Sequence, residues 1–142
     1  MIKGFHLGME FEAAKSHCLE VFEEAGISLR TFEEMTRKVD LSIFVIAWTD
    51  PGGEAMMEIS ANQDGQVFRI VFYPESLKHL FEIQKTSDEG IARMLMRDFQ
   101  VPELSRDPFD QALWEHEALQ DDESVFRISV KEGFVSMERE IH

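Results

Sequence analysis

The sequence predicts an α+β domain in which helices cover one face of an antiparallel sheet. Three observations carry that expectation. Apolar residues between 10 and 25 recur at helical spacing: Phe11, Ala14, Cys18, Val21, Phe22 and Ala25. Three apolar runs follow between residues 41 and 73, divided by short turn signals, and strands joined by short turns pair antiparallel. After Pro74 the same order returns, so the helices gather on one side of the sheet.

Taken in order, residues 2–9 read as a short strand ending in a turn at Gly8. The first helix, over 10–25, closes at Gly26 as a C-cap. Thr31 with Glu34 three residues on forms a capping box, which predicts a second helix there. Strands are expected over 41–49, 54–60 and 66–73, divided by Asp50-Pro51-Gly52-Gly53 and Asn62-Gln63-Asp64-Gly65. Alternation in the third puts Phe68, Ile70 and Phe72 on the core side and Arg69, Val71 and Tyr73 on the other. A short helix over 75–83 follows. A second capping box, Thr86 with Glu89, opens a helix with Ile91, Met94, Leu95 and Phe99 inward.

Pro102 and Pro108 bound an acidic connector, and strands over 112–118, 124–131 and 134–140 end the chain, with Gly133 at the last turn and Phe126, Ile128 and Val130 on one face. The expectation is one domain over 1–142, built of tandem helix-loop-helix plus three-strand units as structural repeats 1–73 and 74–142. Its predicted core includes Phe11, Val21, Phe68, Ile70, Leu95, Phe99 and Ile128.

Composition bounds the function. The 142 residues are 44% hydrophobic and 30% charged, as in ordinary globular proteins. The formal net charge is −14. Half of it lies between residues 103 and 123, where Glu103, Asp107, Asp110, Glu115, Glu117, Asp121, Asp122 and Glu123 face one base, Arg106. Nucleic acid and acidic membrane surfaces attract clustered Lys and Arg, and no such cluster is present. No stretch reaches the ~20 apolar residues of a membrane helix. The N-terminus lacks the apolar run of a signal peptide, so the cytoplasm is the expected compartment. The single cysteine, Cys18, forms no intramolecular disulfide and falls on the buried stripe of the first helix.

No motif for catalysis, a cofactor or a metal stands out, and none is expected. His17 and Cys18 are adjacent on a helix and do not face each other. Ser16, Ser87 and Ser124 lack the Gly-x-Ser-x-Gly turn of an activated serine. Glu115-His116-Glu117 with Asp121-Asp122-Glu123 is the nearest approach to a metal set. Strand alternation puts His116 opposite its two neighbours, and the later acids lack calcium-loop spacing.

The opening Gly4-Phe5-His6-Leu7-Gly8-Met9, followed by an acidic amphipathic helix, resembles the start of a bacterial module, the SmpA/OmlA-type outer-membrane assembly lipoproteins. Asp64-Gly65-Gln66-Val67-Phe68-Arg69-Ile70 is similar to the turn and strand of such modules, and Phe99-Gln100-Val101-Pro102 to a helix exit. The resemblance implies a fold shared with the β-lactamase inhibitor protein, helix-loop-helix units on antiparallel sheet, and a binding role. The lipidated N-terminal cysteine of the lipoproteins is absent from this sequence.

One strand breaks the expected pattern. Ile43, Val45 and Ala47 face one way and Phe44, Ile46 and Trp48 the other, so both faces are apolar. A half-covered sheet normally turns polar on its second face. That face is either covered or meets a partner. The expected partner-binding residues are Trp48, Arg69, Tyr73 and Trp114 on the open face, with Asp121, Asp122 and Glu123 on an acidic edge. The function read from this is a non-enzymatic protein-binding module or inhibitor whose partner carries a basic surface, with homodimerisation through the same face also open. Other readings are a type III secretion chaperone-like dimer, an immunity or phage-type inhibitor of a basic active site, and an enzyme with an unmarked carboxylate site.

Overall fold

The computed structural model describes residues 2–38, 42–81, 87–120 and 124–141. Its elements are α1 (Phe11–Glu24), β1 (Arg30–Lys38), β2 (Ser42–Thr49), β3 (Ala55–Ala61), β4 (Val67–Phe72), α2 (Pro74–Leu80), α3 (Asp88–Asp98), β5 (Ser105–Arg106), β6 (Trp114–Leu119), β7 (Ser124–Lys131) and β8 (Phe134–Ile141). The eight strands form one sheet in the order β1-β2-β3-β4-β8-β7-β6-β5. Every pairing is antiparallel. The order describes two four-strand meanders that meet at an antiparallel β4–β8 seam.

Local chemistry sets the helices. The α1 stripe Phe11, Ala14, Cys18 and Phe22 is buried. Its end is a Schellman turn: Gly26 takes φ +83 and the Ile27 amide donates to the Phe22 carbonyl at 2.9 Å. Pro74 opens α2 at a position where a proline costs no hydrogen bond. In α3 the cap is Ser87, whose Oγ accepts from the Gly90 amide at 3.1 Å. The Thr86 half of the predicted capping box lies outside the described residues. All three helices pack into one core with Ile46, Trp48, Met57, Ile59, Ile70, Phe72, Ile128, Val130, Val135 and Met137 from the sheet.

Several expectations are corrected. The helix predicted from Thr31 is a strand: β1 pairs with β2 from Arg30 to Lys38. Among the described residues each half therefore holds four strands rather than three, with one helix in the first half and two in the second. Residues 2–9 form a tight turn closed between Ile2 and Phe5, and Gly8 and Met9 then bond to Val67. Val21, Phe68 and Phe99 are half-buried rather than buried.

Candidate protein-binding face

Antiparallel register sorts the sheet into two faces, because directly opposed residues share a side. One core row runs Ile46, Ile59, Ile70, Met137, Ile128 and His116. The residues between them belong to the face away from the helices. There one row runs Val45, Ser60, Arg69, Glu138, Arg127 and Glu117, and the next runs Ala47, Glu58, Val71, Ser136, Ser129 and Glu115.

The first row alternates in charge. Arg69 lies 3.7 Å from Glu58 and 3.6 Å from Glu138. Its buried Nε makes no hydrogen bond, because 3.6 Å is too long for one. Arg127 bonds Glu117 at 3.0 Å and lies 4.0 Å from Glu115 and 3.9 Å from Glu140. Its guanidinium is held even more firmly charged, first by the Glu117 hydrogen bond. Five carboxylates thus share two guanidinium groups. The surplus is most exposed at Glu117 and Glu140, whose side chains are 50% and 45% accessible.

Around this lattice sit apolar and hydroxyl groups. Tyr73 donates to Glu58 at 3.1 Å, and its ring meets Phe134 edge-on at 5.1 Å. Burial, then the Glu58 charge, raises the Tyr73 hydroxyl above its ordinary range, so it stays a donor. Ser129 and Ser136 share a 2.7 Å hydrogen bond. Leu119, at the β6–β7 end, is 74% exposed.

Between β5 and β6 the acidic connector is ordered by its own carboxylates. Asp107 accepts from the amides of Phe109 and Asp110 at 2.7 and 2.9 Å. These bonds hold its carboxyl below the usual range. Asp110 is lowered by Lys131, 2.6 Å away, and by the Ala112 amide. Glu115 moves the other way, raised first by burial and then by its contact with Asp107.

The partner-binding residues expected from sequence scatter in space. Arg69 and Tyr73 are on the open face, at its centre. Trp48 is not: it pairs with Met57 on the helix side and is 1% exposed. Both sides of β2 are apolar, so alternation alone could not choose between them. Trp114 also lies on the helix side, opposite Val130, half-buried, with the Arg106 guanidinium 5.0 Å from its ring centroid. Asp121, Asp122 and Glu123 fall outside the described residues, in the connection between β6 and β7. Sequence reading missed Arg127 and Glu138, which the β7–β8 register brings opposite each other.

The Cys18 thiol is fully buried, 3.7 Å from the Met57 sulfur, and burial pushes it far above its ordinary range. It stays protonated and unreactive. Among the described residues, no group of three or more His, Cys, Asp or Glu side chains is placed to hold a metal. Among the same residues no helix is long and apolar enough to cross a membrane. Comparison with protein-family models, curated proteins and solved structures found no match.

Proposed function

We propose that this chain is a non-catalytic module that binds a protein with a basic surface across its open sheet face. The observation that carries the reading is the imbalance on that face: Glu58, Glu115, Glu117, Glu138 and Glu140 around Arg69 and Arg127. The arginines hold the carboxylates in fixed positions and leave net negative charge for a partner to neutralise. Tyr73 and Phe134 supply a partly exposed apolar patch beside it, the usual mix of an apolar centre and a charged rim. A cytoplasmic location fits the same reading.

The test is affinity capture from the native host, followed by association kinetics with the captured protein. Rim charges act chiefly on association, and salt screens them. Changing Glu117 and Glu140 together to Gln should slow association and flatten its salt dependence. Kinetics unaltered by both salt and the double substitution would sink the proposal.

A further inference from the structure

At the edge of the sheet we infer a second interface: two copies of this chain join through β1, strand against strand and antiparallel, into one continuous sheet. Among the described residues β1 is hydrogen-bonded on one side alone, to β2, and it ends the strand order. Its outer side therefore presents amides and carbonyls with no strand across from them. The other end of the sheet is different. There β5 is two residues long, too short to template pairing. In contrast, β1 runs nine residues, Arg30–Lys38, with no proline or glycine to interrupt it.

Charge selects a second copy as the occupant. The chain carries −14 overall, yet β1 holds three bases, Arg30, Arg37 and Lys38, against two acids, Glu33 and Glu34. Copies that repel one another through most of their surface can therefore approach through this strand. An edge blunted against pairing carries charge of one sign, lysine above all. Here both signs are present, and they are placed to complement themselves.

Symmetry limits the register. Two identical antiparallel strands are related by a two-fold axis normal to the sheet, and opposed residues share a face. One residue must then pair with itself on the axis. An axis at Glu33, Glu34 or Arg37 sets like charges against each other, which destabilises a sheet. An axis at Met35 overlaps residues 32–38 and brings Glu33 opposite Arg37 of the second copy, twice. An axis at Phe32 or Thr36 shortens the overlap to 30–34 or 34–38, and the first of these contains the register shift between Thr31 and Glu33. Met35 therefore gives the longest ladder with opposite charges paired. It is also the register partner of Val45, in a row of the open face, so the dimer sets the two open faces side by side on one surface of a doubled sheet.

The test is sedimentation equilibrium of the full chain, with circular dichroism to show that each variant is folded. The mass should rise from 16.5 kDa toward twice that value with concentration. Glu33→Arg or Arg37→Glu sets like charges opposite each other at both ends of the ladder and should weaken the dimer at least about tenfold. Both changes together should restore it. A cysteine pair gives an independent reading. Self-paired residues lie about 4.5–5.5 Å apart at Cα, within disulfide reach, so Met35→Cys should cross-link the two copies on oxidation. Glu34→Cys, set two residues from its own copy across the ladder, should not. Cys18 is buried and takes no part. A chain that stays monomeric up to about 1 mM, single reversals that dimerise as wild type does, a folded double variant that stays monomeric, or cross-linking at position 34 in place of 35 would each overturn the inference.

Discussion

Trp48 and Trp114 are joined by one cross-strand row and stand at equivalent places about the β4–β8 seam, each two strands out from it. The row between them runs through Met57, Phe72, Val135 and Val130. The equivalence is positional, not environmental. Trp48 is 1% exposed beneath the helices, whereas Trp114 is half-buried under Arg106 near the short strand β5. Trp48→Ala should therefore cost about 3–5 kcal/mol of stability, and Trp114→Ala clearly less, because less surface is lost from the core. Urea unfolding of the two variants decides it; equal losses would mean the two environments are not distinct.

Much of this fold was legible in local sequence. Asp50-Pro51-Gly52-Gly53 and Asn62-Gln63-Asp64-Gly65 mark real turns: Asp50 accepts from the Glu54 amide, and Asn62 from those of Asp64 and Gln66. Helical spacing found α1 and α3. What failed was long-range. Thr31 and Glu34 have capping-box spacing, but pairing with β2 makes the segment a strand, and such tertiary context overrides weak local preference. The β4–β8 seam joins residues 69–72 to 135–138, a pairing no local pattern encodes. The Arg–Glu lattice needs that register to exist, so it was invisible too. Phe68 shows the limit of alternation: β4 shifts register near Val67, which is buried while Phe68 is half-buried.

Asp88 joins α3 to the β7–β8 hairpin. Its carboxylate accepts from the amides of Glu132 and Gly133, both at 2.9 Å. Those two residues have φ +52 and +82, so the turn is strained at Glu132 and gains from an external acceptor. Asp88→Ala should cost about 1–3 kcal/mol, since hydrogen bonds to a charged group are lost together. Asp88→Asn, which keeps an acceptor, should cost less. Chemical denaturation measures both; an unchanged alanine variant would mean the hairpin holds its shape alone.

Arg127 offers a test of the open-face lattice. Its side chain is 33% accessible, so solvent weakens its pairs with Glu115, Glu117 and Glu140. Arg127→Gln should cost on the order of 1 kcal/mol at low salt. The cost should shrink in about 1 M salt, where the screening length falls to ~3 Å from ~10 Å at 0.1 M. Denaturation midpoints at the two salt concentrations report this. A loss unaffected by salt would point to packing of the arginine stem instead.

The Asp107–Glu115 contact makes a prediction about pH. Two backbone amides lower Asp107, so the charge of the pair resides there. Glu115 is raised by burial first, then by its hydrogen bond to Asp107 and the repulsion of that charge, and Arg127 at 4.0 Å only partly offsets this. A carboxyl raised in the folded state favours folding while both states hold the proton, and that contribution is lost as pH rises through the folded value. At about pH 7 the native state therefore carries a penalty for ionising Glu115. Glutamine removes the ionisation but can still donate to Asp107, as the protonated acid does. Glu115→Gln should thus stabilise the protein at neutral pH. Its advantage should fade as pH falls through the raised value and vanish below the ordinary glutamate value of about 4.3, where the wild-type group is protonated in both states. Asp107→Asn should act in the opposite sense, removing stability that is present above the ordinary aspartate value of about 3.9 and lost as pH falls through the depressed one. Thermal unfolding of both variants from neutral to acid pH gives the comparison. A Glu115→Gln variant less stable than wild type at neutral pH would show that the Arg127 contact outweighs the repulsion from Asp107.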